Sequence, residues 1–593
     1  MHDDEVLGRA YDARLMRRIW GFARPHRALL LQSLAVFPLV SALELLQPYL
    51  VKVAIDDYIL PRDWIGLSRI AALFLATLLG LYALRVAQAY VTQLTGQRVI
   101  HDLRNALFAH LERQDARFFD RHPVGRLMTR VLNDVEAINE LFTSGVVSVL
   151  GDVITLTGVI AIMLGMNARL ALVGLSLGPV LVGLGFFFRG RARDSYRGVR
   201  TRLARLNAFL QESLLGMSVI QLFARERQEG ARFAALNADL RRAQFRSTFF
   251  DASFYASVEA LGSAAVALLL WYGGGEVVRG ALTFGGLVAF LEYMGRAFLP
   301  VRDLGAKYAV MQAAMVAAER IFGLLDVRPL ITSPSGATAV APAASSGSPA
   351  VEFRRVWFAY EGEQWVLEDC SFRIARGEQV ALVGPTGEGK TTIARLMTRA
   401  YDVARGQVLV EGRDVREWDL PSLRRHVGLV PQEVFLWSGT VEANLRLGRD
   451  GAVSAEDLAA AVAAANARRF VDALPGGLAA EIRERGVNLS QGQRQLLAIA
   501  RALIYNPPVL ALDEATASVD PESEALIQSA MARLIGGRTS LVIAHRLSTI
   551  QTADRILVLH RGAVREAGRH SELRALGGLY ARLYELQFGG AAR

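Results

Sequence analysis

The sequence predicts a multi-domain protein, with an all-α domain of six membrane helices followed by an α/β domain. Three observations predict it. Leu170–Phe188, "LALVGLSLGPVLVGLGFFF", carries no charge over 19 residues. At about 1.5 Å per residue that is enough to cross roughly 30 Å of hydrocarbon. Residues 378–397, "EQVALVGPTGEGKTTIARLM", join an apolar strand run to a helical run through a Gly-x4-Gly-Lys-Thr loop, the mark of the P-loop NTPase class. Between these regions, 327–350 is rich in Pro, Ser, Ala and Gly without apolar periodicity, and reads as a flexible linker. The expected division is therefore a transmembrane domain over 1–326, the linker over 327–350 and a nucleotide-binding domain over 351–593.

Six spans are expected near 28–50, 68–92, 153–166, 170–188, 254–275 and 284–305. "NAR", 167–169, makes a tight turn between the third and fourth. Residues 93–140 and 189–250 read as long arginine-rich loops, and the other connections are short. Positive charge favours the cytoplasmic side, so the long loops and both termini are expected there. The start, "MHDDEVLGRAYD", has no apolar core or cleavage site of a signal peptide. "DARLMRRIWGFARPHR", 12–27, mixes apolar and basic residues and is expected to lie in the membrane interface as an anchoring elbow helix. Glu44, Asp152, Glu259 and Glu292 fall in or near the spans. A charge there is costly, so such acids face a cavity or pair with a base such as Arg85 or Arg296.

The chain is 52% hydrophobic with a net charge of +10. Basic loops of a membrane protein account for that charge, so nucleic acid is not expected as a partner. Cys370 is the only cysteine, which rules out an intrachain disulfide. Among 67 basic residues only Lys52, Lys307 and Lys390 are lysines. One of these three occupies the lysine position of the phosphate loop.

That loop, Gly384, Pro385, Thr386, Gly387, Glu388, Gly389, Lys390, Thr391 and Thr392, is expected to bind ATP. Its backbone amides curl around phosphate oxygens, Lys390 adds a point charge, and the Thr391 hydroxyl can ligate Mg2+. "VLALDEATASVD", 509–520, reads as a buried strand ending in Asp513, a second candidate for holding magnesium. Glu514 follows at the strand's C-terminal edge, where open α/β sheets place ligands, and is positioned to polarise a water against the γ-phosphate.

With these motifs in order, the chain resembles a half-transporter of the ATP-binding cassette (ABC) superfamily, of the type IV exporter kind with six spans before one cassette. The resemblance covers nearly the whole chain. It implies that Tyr360 in "FAYEG" stacks on adenine and that Gln432 in "LVPQEVFLWSGT" contacts magnesium. It implies that His545, after "TSLVIA", holds the γ-phosphate beside the catalytic Glu514, and that Asp520 lies in a loop communicating across a dimer. The signature Leu489-Ser490-Gln491-Gly492-Gln493 opens the helix "RQLLAIARALIYNPP" and would face ATP held by a second cassette. "DRHPVGRLMTRVLNDVE" and "ESLLGMSVIQLFARE" resemble elements that dock on cassettes. Gln491 stands where the family usually has glycine. This departure points to a heterodimer with a weaker second site, more than to a homodimer.

The resemblance implies ATP-driven export or flipping of a hydrophobic, lipid or peptide substrate across a bacterial inner membrane. The partners would be a second half-transporter chain and membrane lipid. A soluble ABC ATPase of DNA repair or translation is the first rival, and six apolar spans argue against it. An ATP-gated channel or regulator on the same scaffold is the second, and Glu514 with His545 favours a cycling pump. The cargo is not written in the sequence.

Overall fold

The computed structural model describes residues 12–334, 348–447, 453–513, 520–544 and 546–588. The chain divides into two compact units. One holds Met1–Glu112 and Gly125–Val327, and the other Arg113–Val124 and Arg328–Arg593.

The first unit is helical. Among the described residues, six helical runs are long and apolar enough to cross a membrane: Ala13–Ile59, Trp64–Glu112, Val124–Met166, Ala168–Leu215, Glu226–Val278 and Ala306–Leu325. The last is the end of a 42-residue helix, Phe284–Leu325. The helix Trp64–Glu112 has 49 residues, which at about 1.5 Å each far exceeds the ~30 Å hydrocarbon layer. The stretches 93–140 and 189–250, expected as loops, are therefore mostly helical continuations of the spans. Their Ala, Leu, Arg and Gln content favours helix, and prolines that would stop it are scarce. Asn167 makes the expected turn by capping the next helix, its side chain accepting from Leu170 N at 3.1 Å.

The elbow helix Ala13–Ala23 is capped by Asp12 and buries Ile19 and Ala23. Its Arg18 pairs with Asp326 at 2.7 Å and lies over the Phe322 ring at 4.3 Å. Within the spans, Glu44 pairs with Arg85, and Asp152 pairs with Lys307. Arg296 donates instead to the Glu44 carbonyl and to Gln47 Oε1. Glu259 and Glu292 are exposed.

The second unit is α/β. Its strands are β1 Val351–Ala359, β2 Trp365–Ile374, β3 Gln379–Val383, β4 Arg405–Val410, β5 Arg413–Asp414, β6 Val427–Val430, β7 Gly439–Thr440, β8 Glu481–Ile482, β9 Val509–Asp513, β10 Thr539–Ile543, β11 Arg555–His560 and β12 Ala563–Gly568. A six-stranded sheet runs β12-β11-β3-β10-β9-β6, parallel except for its β12 edge. A four-stranded antiparallel sheet runs β2-β1-β4-β5, and β7 pairs with β8. Every residue of β9 and β10 is buried. Such strands have both faces covered and read as continuous apolar runs. One face packs against Phe353, Ile393, Leu396 and Trp418, and the other against Leu436, Leu458, Leu496 and Ile527.

Candidate nucleotide site

The phosphate loop leaves the C-terminal end of β3, a central strand, and feeds the helix Lys390–Met397. Gly384 sits so close to β11 that a Cβ there would lie 2.3 Å from the Leu559 carbonyl oxygen. Gly387 and Gly389 have φ of +90° and +93°, a region that side chains disfavour. The bends at these glycines bring the loop over the first turn of the helix, whose open amides and positive dipole end suit an anion.

Lys390 is nearly buried, and its Nζ donates to the carbonyls of Gly384 at 2.6 Å and Pro385 at 2.8 Å. Burial pushes its pKa down, and the nearby Asp513 and Glu388 charges oppose that shift. The ammonium thus lies at the loop with two carboxylates in its field. Thr391 Oγ1 donates to Asp513 Oδ2 at 2.7 Å, joining the loop to the end of β9. Thr391, Asp513 and Gln432 all line one cavity of about 420 Å³, together with Arg395 and Pro431. A hydroxyl, a carboxylate and an amide oxygen are hard donors, and this set fits a magnesium ion.

Tyr360 stands at the end of β1. Its hydroxyl bonds to Thr392 Oγ1 at 3.0 Å, and its ring meets Tyr401 edge-on at 5.2 Å between centroids. Another contact comes from a distant part of the chain. The short helix Ala116–Arg121 lies between membrane helices in the chain yet packs within the α/β unit. There Arg117 donates to the Tyr360 carbonyl at 2.9 Å, and the Tyr401 hydroxyl donates to Asp120 at 2.5 Å. Burial, followed by that bond, raises the Tyr401 pKa. The stretch 120–136, expected to dock on a cassette, overlaps this packed segment only over Asp120–Val124. No periodicity marks a six-residue helix, so the contact was out of reach of pattern reading.

The Glu388 carboxylate turns away from the loop. It accepts from His560 Nδ1 at 3.1 Å and from the amides of Arg561 and Gly562 in the β11–β12 turn.

The signature residues lie elsewhere. Ser490 caps the helix Gln491–Tyr505 in a reciprocal box, accepting from Gln493 N at 3.2 Å while Gln493 Oε1 accepts from Ser490 N at 2.9 Å. Leu489 and Gly492 are buried, and Gln491 is exposed at the first helical position. Among the described residues, none of Leu489–Gln493 lines the cavity beside Thr391. Asp520 caps the helix Pro521–Ile535 by accepting from Ser523 N at 2.9 Å. That bond lowers its pKa. Glu514 and His545 lie outside the described residues. The strands that lead to them, β9 and β10, run side by side with Asp513 opposite Ile543.

Comparisons with known proteins agree with this architecture. Residues 30–301 match the ABC transporter transmembrane region, and 367–517 match the ABC transporter domain. The chain is 37% identical to the ABC transporter ATP-binding protein YknV of Bacillus subtilis (strain 168), over 99% of this chain and 97% of that protein. It is 36% identical to the ATP-dependent lipid A-core flippase of Syntrophus aciditrophicus (strain SB), over 97% of this chain and 94% of the flippase. Among solved structures, a bacterial Atm1-family ABC exporter with ATP bound superposes with a TM-score of 0.77 at 31% identity, covering 95% of this chain and 98% of that one. An integral membrane region, a phosphate loop on the central strand of an ATP-binding domain, and full-length likeness to exporters lead to one conclusion: the chain belongs to the ABC transporter family, as a type IV exporter half-transporter that couples ATP hydrolysis to transport.

Proposed function

We propose that the chain moves a lipid or another hydrophobic, amphipathic molecule across a bacterial inner membrane by alternating access, with its termini and cassette in the cytoplasm. The observation that carries this reading is the bridge from Thr391 to Asp513 beside Lys390, at the mouth of a loop built for phosphate. Lys390 would exchange its bonds to the Gly384 and Pro385 carbonyls for the β and γ phosphates. Thr391, Gln432 and Asp513 would hold magnesium, which neutralises phosphate charge. Tyr360 would stack on adenine. Glu514 would act as general base, with His545 beside the γ-phosphate. The apolar helices and the likeness to lipid A-core flippases support an amphipathic substrate.

Lys390→Ala is expected to weaken ATP binding strongly and to abolish transport, while membrane insertion stays intact. Nucleotide titration of the purified variant checks this, and wild-type affinity would overturn the assignment.

The second cassette would come from another chain, whose ATP faces Leu489–Gln493. We infer a heterodimer, because Gln491 adds bulk at the first helical position, where phosphate would approach the amides. Native mass spectrometry of the detergent-extracted complex, co-expressed with neighbouring genes, is expected to show two different chains. A fully active complex of a single mass would remove the case for a distinct partner.

A further inference from the structure

Glu388 is flanked by Gly387 and Gly389, both at positive φ. Glycine has more backbone freedom than any other residue, so this part of the phosphate loop has little intrinsic reason to keep one shape. The Glu388 side chain supplies a reason. One carboxylate oxygen meets His560 Nδ1 at 3.1 Å, and the other accepts from the amides of Arg561 and Gly562. These amides belong to a tight two-residue turn, with Arg561 at φ +50° and Gly562 at φ +69°.

The turn is itself held. Glu368 N donates to the Gly562 carbonyl at 3.0 Å, and a Cβ on residue 562 would lie 2.8 Å from the Val366 carbonyl oxygen. β11 also abuts the other end of the loop, where Leu559 meets Gly384. The loop is thus fixed at its first residue by close approach and at Glu388 by its carboxylate. The Glu388 side chain is 17% exposed. A carboxylate left loose here would repel incoming phosphate, and these donors aim it away and stabilise its charge.

We propose that Glu388 is a positioning residue for ATP. It clamps the phosphate loop to the β11–β12 turn, so that the loop amides are ordered before the nucleotide arrives. An ordered loop loses less conformational freedom on binding, and affinity gains accordingly. The proposal rests on the phosphate-loop reading above.

The test is ATPase kinetics of the full-length transporter in lipid nanodiscs. Glu388→Ala is expected to raise the KM for ATP about tenfold, the scale of one lost charge-assisted hydrogen bond, with a much smaller loss in kcat. Glu388→Gln keeps an oxygen that can accept from Arg561 and Gly562, and is expected to restore most of the KM. His560→Ala should give a smaller rise than Glu388→Ala. A KM that stays the same or falls in Glu388→Ala would overturn the clamp. An equal loss in kcat and kcat/KM that Glu388→Gln fails to rescue would also overturn it. Should Glu388→Ala not fold, the Glu388→Gln and His560→Ala KM values decide alone, and His560→Ala at wild-type KM with Glu388→Gln raised tenfold counts against the clamp. Failure of the phosphate-loop reading is distinct, because it appears as unchanged ATP affinity in Lys390→Ala.

Discussion

Gly384 accepts no side chain, because a methyl group would meet a backbone carbonyl of β11 at 2.3 Å. Backbone cannot swing aside as a long side chain can, so Gly384→Ala must displace either the loop or the strand. Overpacking of this kind costs about 1–3 kcal/mol. The variant is therefore expected to lower the melting temperature of the transporter without nucleotide and to weaken ATP binding as well. A wild-type melting curve would show that the loop relaxes freely. The phosphate loop was legible as a motif because its glycines, lysine and threonine fall at fixed spacing. The reason Gly384 must be glycine was not, since it depends on β11, more than 170 residues away in the chain. The end of β9 was legible for the same kind of reason, since Asp513 is the first acid after four apolar strand residues. At Glu388 the motif shows only a place in the loop: the partners of its carboxylate come from a turn that spacing does not announce.

At the scale of elements, local side-chain signals fix where two of the helices begin. Ser490 and Gln493 stand three apart, the spacing at which a capping box satisfies two orphan amides. Asn167 likewise marks the turn between two apolar runs. The ends of the membrane helices were harder to read. Hydropathy drops where a helix leaves lipid, but nothing in that drop ends the hydrogen-bond ladder. The 53-residue helix Glu226–Val278 therefore runs through both an arginine-rich half and an apolar half. A polar stretch beside a span, expected as loop, is helix instead. The helix Ala116–Arg121 is the opposite case, too short for any period to show. Its value lies in two side chains, Arg117 on the Tyr360 carbonyl and Asp120 on the Tyr401 hydroxyl. The aromatic expected to meet adenine is therefore bonded on one side to the phosphate-loop helix, through Thr392, and on the other to a segment that continues into membrane helices. Only tertiary contacts reveal such a link.

At the scale of the whole molecule, transport requires that ATP be bound and then destroyed, and the proposed function assigns these two events to different residues. The phosphates would be held by the loop and Lys390, while attack by water would need a base beside the γ-phosphate. Glu514 follows Asp513 in the sequence, and Asp513 ends β9 at the C-terminal edge from which the phosphate loop also leaves β3. Glu514→Gln keeps the size and one acceptor oxygen but loses the charge, so it can no longer take a proton from the attacking water. General-base contributions are typically about 10²–10⁴-fold, and hydrolysis is expected to fall by that order. ATP binding is expected to survive, because its anchors are untouched. Removing a negative charge near the γ-phosphate also lessens repulsion in the bound state. The cassettes should therefore stay closed on MgATP, and the membrane helices should accumulate facing outward. If the partner's site is already weak, this one change stops nearly all turnover. Electron–electron distance measurements between spin labels on the two cassettes read closure directly, and phosphate release reads hydrolysis. A variant that hydrolyses ATP near the wild-type rate would remove Glu514 from the catalytic role. A variant that is slow but never closes with MgATP would show that the same residue is needed for binding, and that binding and hydrolysis are not separable in this chain.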